Sequence, residues 1–266
     1  MGRKSEICVL IPHFNDIEGL KKSLASISNL EPVDVLIVDD GSKEKPDEEL
    51  LKKEFPNLNI SVILNGKNRG IEHVLNDGLK YAKENEYKYI ARLDCGDICH
   101  KKRFKLQKEV LEKNLDIYLV GSWVVFVDKK GKEIFRFKPP TEYENIKKKM
   151  FINNMFVHPA VMFRTEVING IGYYPTNYKN AEDYAFFMKI VQKYKAINIS
   201  DYLLICEVDS KGLSLSKRRL QIKSRLKIIK DFCDNSFYCF YGILRNILLL
   251  VIPYKLIEGL KKLRYK

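Results

Sequence analysis

Several large function classes leave no mark on this sequence. No Gly-x-Gly-x-x-Gly and no Walker loop is present, which excludes a Rossmann dinucleotide site and a P-loop hydrolase. The six cysteines (Cys8, Cys95, Cys99, Cys206, Cys233 and Cys239) form no Cys-x-x-Cys pair and no zinc spacing. Several lie in apolar runs, so buried free thiols in a reducing cytoplasm are expected. The opening Met-Gly-Arg-Lys-Ser-Glu leads straight into a strand-like run, without the apolar region and cleavage site of a secretory signal. There is no internal repeat and no low-complexity segment. No apolar run reaches the ~20 residues of a spanning helix.

What is present describes a globular α/β chain. Its 266 residues are 45% hydrophobic, enough for a full core and for one large domain, or one domain with an appendage. Its charge is unevenly placed. The whole chain holds 47 Lys/Arg against 34 Asp/Glu, net +13, and residues 211–266 alone hold 14 against 3, net +11, which leaves residues 1–210 at +2. Strand-like runs at 7–12, 33–38, 60–64 and 87–93 alternate with helix-like runs at 17–29, 48–55 and 71–85. That alternation predicts a mostly parallel sheet with helices on both faces. Further on, 103–113 reads as a helix, 118–127 and 133–137 as a β-hairpin across Asp-Lys-Lys-Gly, 158–163 as a short strand and 182–194 as a helix.

Three acidic motifs stand in order along these elements: Asp39-Asp40, Asp94-Cys-Gly-Asp97 and Glu182-Asp183. The first follows Val35-Leu-Ile-Val38, a buried parallel strand by its composition. Ligands of open α/β sheets sit at the carboxyl ends of such strands. The Asp-Gly-Ser that follows would equally turn the chain and cap a helix.

Together with Ile11-Pro-His-Phe-Asn15, Asn68-Arg-Gly70, Arg92, Arg103, His158-Pro-Ala160 and Ala181, these motifs make residues 5–210 resemble the family 2 glycosyltransferases of the GT-A fold. The resemblance implies a GT-A catalytic domain over 1–210, with a nucleotide-sugar half at 1–115 and an acceptor half at 116–210. It implies an inverting transfer of sugar from a nucleoside diphosphate donor (UDP or dTDP) to a saccharide, with Asp183 as general base. Asp40 would accept a hydrogen bond from the base, supported by Asp39, with Pro12 and Phe14 beside it. Asn68, Arg69 and Arg92 would contact the nucleotide or its phosphates, and Glu182 the acceptor side. His158 would serve the acceptor or be a hydrogen-bonded structural residue. Asp94 and Asp97 would hold a divalent cation, Mn2+ or Mg2+, against the diphosphate, with Asp94 alternatively contacting the ribose or supporting the metal site from behind. The family's second Asp of Asp-x-Asp is Gly96 here, so Asp97 would have to reach the metal, or else it caps the following helix. Trp123 and the 174–178 region would line an acceptor groove or pack in the core.

The basic character belongs to the C-terminal tail, which is expected to be helical. Residues 217–230 mix Lys/Arg with Leu and Ile, and 237–252 are largely apolar around Arg245 and Asn246. Apolar residues with flanking cations predict an interfacial helix on an anionic bilayer, peripheral on the inner face of the cytoplasmic membrane. Packing on the catalytic domain, or a dimer contact, is the other reading, and no nucleic acid is expected. The setting implied is surface polysaccharide assembly (O-antigen, lipooligosaccharide or capsule) on a lipid-linked acceptor. A sugar nucleotidyltransferase and a degenerate nucleotide-sugar binder without turnover are the alternatives.

Overall fold

A computed structural model describes residues 5–208 and 218–252. One mixed sheet organises them. β1 (Ile7–His13) lies between β2 (Asp34–Asp39) and β4 (Tyr89–Arg92), parallel to both, and β3 (Asn59–Leu64) is parallel to β2 at the edge. The spatial order β3-β2-β1-β4 brings the ends of β1, β2 and β4 side by side.

Beyond β4 the sheet becomes mixed. β8 (Met162–Arg164) runs antiparallel between β4 and β6 (Ile117–Val127), and β9 (Lys195–Glu207) is parallel to β6. The two-residue β5 (Ile98–Cys99) pairs with β9, and β7 (Glu133–Phe137) forms the expected hairpin with β6. The strand expected at 158–163 starts late. His158–Ala160 form a 3-10 turn instead, consistent with Pro159 lacking the N–H a ladder needs.

Side-chain alternation divides the core between the two faces. Ile7, Val9, Ile11, Val35 and Ile37 meet α1 (Ile17–Ala25), α2 (Glu48–Glu54) and α4 (Arg103–Lys113) on one face. Cys8, Leu10, Leu36 and Val38 meet α3 (Ile71–Glu84) on the other, continuous with α5 (Tyr143–Met150), α6 (Val167–Ile171) and α7 (Glu182–Lys193).

α8 (Arg218–Asp231) and α9 (Phe237–Val251) join this second face, where Ile228, Ile229 and Cys239 enter the core. Their inner sides therefore pack on the sheet's second face. Cys233 and Cys239 form a disulfide, so these two depart from the expectation of buried free thiols. The turn between α8 and α9 brings their Cα atoms to 5.7 Å, within bridging range. Cys8, Cys95, Cys99 and Cys206 are free. Among the described residues no helix is long and apolar enough to cross a membrane. Lys217 and the tail beyond Ile252 lie outside the described residues.

Candidate active site

A cleft of about 790 Å³ opens at the carboxyl ends of β1, β2 and β4 and extends to the start of α7. That size suits a nucleotide-sized ligand.

Its first wall is a hydrogen-bonded knot. The Asp16 amide donates to His13 Nε2 (3.2 Å), so the ring proton is on Nδ1, which donates to Asp39 Oδ1 at 2.7 Å. Ser42 Oγ donates to the same oxygen, and the Gly41 and Ser42 amides donate to Oδ2 (3.1 and 3.0 Å). Burial works against the Asp39 charge, but the Ser42 and His13 bonds outweigh it and hold the carboxyl below its usual range. Asp40 binds the next loop, its Oδ1 accepting from the Arg69 amide (2.8 Å) and its Oδ2 from the Gly70 amide (3.1 Å). Asp40 itself faces the cleft, where remaining lone pairs can accept from a ligand. Pro12, Phe14 and Asn68 line the same end.

The floor is Arg92, a fully buried cation. Its Nη1 donates to the Leu10 carbonyl (2.5 Å), its Nη2 to Asp94 Oδ1 (2.6 Å) and its Nε to His158 Nε2 (3.4 Å). His158 Nε2 also accepts from the Tyr174 hydroxyl (3.0 Å). Burial and the neighbouring Arg92 charge push the His158 pKa far down, so the ring stays neutral and acts as an acceptor that orients Arg92. Behind the floor, Arg103 is fully buried and donates to the Arg92 carbonyl.

Asp94 and Asp97 part company. Asp94 lies on the cleft with 40% of its side chain exposed. Asp97 is buried on the far side of the turn, and its oxygens accept from the Glu207 amide (3.2 Å) and the Cys206 thiol (3.3 Å) of β9. This placement does not fit Asp97 as a metal ligand facing the cleft. Nor does Asp97 cap α4, whose N-cap is Lys102. Burial, and then the Asp94 charge, push the Asp97 carboxyl up to about 8. Gly96 sits at φ +89, a conformation that a side-chain-bearing residue adopts only with strain.

The opposite wall begins α7, where Glu182 and Asp183 occupy the first turn, favourable ground for negative charge. Glu182 lines the cleft. Burial and the Asp183 charge push its carboxyl up to about 7. Asp183 is set back from the lining, and its Oδ2 accepts from the Asn154 amide group at 3.0 Å. Burial raises its pKa, against the pull of the Tyr184 amide and the Arg225 cation.

The cleft thus collects Pro12, Phe14, Asp40, Asn68, Arg92, Asp94, His158 and Glu182, with Asp39 and Asp183 directly behind. The Arg69 guanidinium instead pairs with Asp77 of α3. Trp123 donates to the Pro139 carbonyl and lies tilted against Tyr202, Tyr178 bonds Asp231 of α8, and neither lines the cleft. Sequence reasoning missed His13, Glu72, Lys179, Asn180, Asn154 and Leu220. Only His13, next to Phe14 in a quoted motif, carried a signal.

The sequence model described as Glycosyl transferase family 2 matches residues 8–172. The chain belongs to this family. It is 29% identical to an uncharacterized glycosyltransferase, MJ1057, of Methanocaldococcus jannaschii, over 94% of this chain and 90% of that one. It is also 29% identical to the UDP-Gal:alpha-D-GlcNAc-diphosphoundecaprenol beta-1,3-galactosyltransferase of Escherichia coli, over 79% of this chain and 75% of that one. The fold is shared with the mannosyltransferase PcManGT of Pyrobaculum calidifontis, solved with GDP-Man and Mn2+, at a TM-score of 0.65 and 16% identity, over 93% and 70% of the two chains. The chain is a glycosyltransferase of mixed α/β GT-A fold.

Among the described residues no three His, Cys, Asp or Glu side chains gather as a metal cage. The donor set fits a different site. One half-exposed carboxylate on the cleft, Asp94, suits a hard cation whose remaining ligands are substrate phosphates and water.

Proposed function

We propose that the chain transfers a sugar from a nucleoside diphosphate donor, UDP or dTDP, to a lipid-linked saccharide, inverting the anomeric centre. The setting is assembly of a surface polysaccharide such as O-antigen, lipooligosaccharide or capsule, with the chain peripheral on the inner face of the cytoplasmic membrane. The observation that carries this is the cleft itself. It joins a carboxylate for a base, an Arg92–Asp94 floor for a diphosphate and an acidic pair at the head of α7. The named action of the E. coli relative on a diphosphoundecaprenol-linked sugar supports the acceptor class.

In this reading the base lies between Phe14 and Asp40, and Arg92 faces the diphosphate, whose charge grows as the glycosidic bond breaks. A divalent cation, Mn2+ or Mg2+, held by Asp94 would neutralise part of that charge. The acceptor hydroxyl attacks the anomeric carbon and gives its proton to Asp183, oriented by Asn154, while the nucleoside diphosphate leaves with the bonding electrons. A second reading makes Glu182 the base, because it, rather than Asp183, stands on the cleft wall.

The experiment is hydrolysis of a panel of UDP-, dTDP- and GDP-sugars with Mn2+, Mg2+ or EDTA. Slow hydrolysis of one donor, lost in Asp183→Asn, supports a transferase and names the donor. Nucleotide binding with no turnover on any donor, even with a purified lipid-linked acceptor, supports the degenerate binder instead.

A further inference from the structure

We propose that the outward face of α9 is the docking surface for an anionic lipid bilayer, seated so that the cleft opens beside the membrane. This deepens the lipid-linked-acceptor reading and rests on it for its purpose.

Phe237, Phe240, Tyr241, Leu244, Leu248 and Val251 recur every three or four residues and so share one side of α9. All are exposed, from 46% for Tyr241 to 76% for Phe237 and Val251. Soluble monomers rarely leave so continuous an apolar strip in water. The strip is fixed in place, because the opposite side of α9 is locked on the domain. Cys239 and Asn246 are buried there, and a Cβ on Gly242 would stand 1.9 Å from the Phe151 carbonyl oxygen. Arg245 donates to the Ile152 carbonyl (3.2 Å) along the same seam.

Charge selects the occupant. α9 contains no Asp or Glu. The chain that carries Phe151 leaves α5 through the exposed Lys148 and Lys149; at the end of α8 the exposed Lys230 is accompanied by the exposed Asp231 and Asp234, so the described positive charge of the rim rests chiefly on α5. After Ile252 the sequence continues with Lys255, Lys261, Lys262, Arg264 and Lys266 against a single Glu258. A second copy of this chain would meet the strip with the same basic rim, like charge against like. An anionic headgroup layer complements the rim, while the aromatic and aliphatic strip enters the acyl boundary. The 15 residues of α9 span roughly 22 Å, short of the ~30 Å hydrocarbon core, so the helix lies in the interface.

The geometry also orients the enzyme. α8 packs along α9, and Leu220 near its start lines the cleft. α8 therefore links the docked helix directly to the cleft wall.

The test uses the full chain in co-sedimentation with phosphatidylcholine vesicles with and without phosphatidylglycerol. Donor hydrolysis and light scattering are measured on the same samples. The expected result is binding to the anionic vesicles that Leu244→Glu/Leu248→Glu weakens more than about tenfold. Lys148→Glu/Lys149→Glu weakens it less and removes the preference for anionic lipid. Hydrolysis stays within about twofold in both variants, because neither pair touches the cleft. Wild-type protein that ignores phosphatidylglycerol vesicles overturns the proposal, as does a Glu pair that sediments like wild type. A dimer in light scattering that the Glu pair splits into monomers also overturns it and makes the strip a self-association face. Vesicle binding without hydrolysis by any form, and without turnover when a purified lipid-linked acceptor is added, supports the docking surface and counts against the transferase reading.

Discussion

Two pairs of adjacent carboxylates face each other across the cleft, and their surroundings treat them in opposite ways. Asp39 and Asp40 end a buried strand; backbone amides, a hydroxyl and an imidazole take up the hydrogen-bonding capacity of Asp39, and two loop amides take up part of that of Asp40, which keeps lone pairs on the cleft. The negative charge of Asp39 is thereby held in place, its carboxyl below the usual range. Glu182 and Asp183 begin a helix, and the only side-chain hydrogen bond to the pair among the described residues is the one from Asn154. Burial raises both. The first pair spends its charge on shaping three loops into a rigid wall. The second has its proton affinity raised by burial, the direction a general base needs. Identical functional groups are set apart by what they touch.

The largest effect should come from breaking the scaffold pair. Asp39→Ala leaves His13 and Ser42 without their shared acceptor and should lower stability by about 3–5 kcal/mol, read from urea unfolding. Unfolding within 1 kcal/mol of wild type would show that the knot contributes little.

Next in size is the floor. Asp94→Ala should raise the Mn2+ concentration for half-maximal turnover by at least about tenfold, whereas Asp97→Ala should not. Equal metal dependence in the two variants would put Asp97 back among the ligands.

A smaller effect sharpens the chemical pair. Burial and the Asp183 charge push Glu182 up to about 7, and burial also raises Asp183, so the pair takes up a proton as pH falls. Transfer should therefore fall as pH is lowered from 8 to 6. Glu182→Gln removes a negative neighbour, so the acid limb should move to lower pH. An unmoved limb would separate the two groups.

The smallest effect concerns Asp97. Its carboxyl is raised to about 8 in the fold, so the folded state binds a proton that the unfolded chain has released. Its contribution to stability is present at low pH and lost as pH rises towards 8. Asp97→Asn cannot titrate, so its melting temperature should fall less between pH 6 and 9 than that of wild type. Parallel curves would contradict this assignment.

The parallel half of the fold was legible because β1, β2 and β4 are buried on both faces and read as continuous apolar runs. Beyond β4 the β6–β7 hairpin and α7 were legible too, but the pairing of β9 was not: its apolar pattern is broken by Ser200 and Asp201, and its register with β6 shifts near Trp123. β5 is two residues long and exists only because β9 is there to pair with it. In the site, strand-end carboxylates could be placed from sequence, but the direction of a side chain could not. Asp94 and Asp97 differ by three positions and lie on opposite sides of one turn, set by the positive φ of Gly96. The contributions of Lys179, Asn180 and Leu220 arise from loops and from α8 closing on the sheet. No local pattern announces that kind of contact.

With Asp183 as the base, the acidic pair at the head of α7 is expected to take the acceptor proton. The most direct measurement compares transfer to a lipid-linked saccharide by wild type, Asp183→Asn and Glu182→Gln at pH 8, with nucleotide binding measured alongside. The expected result is a loss of about 10³-fold for Asp183→Asn with donor affinity intact, and a loss under about tenfold for Glu182→Gln. Near-wild-type turnover by Asp183→Asn would contradict it.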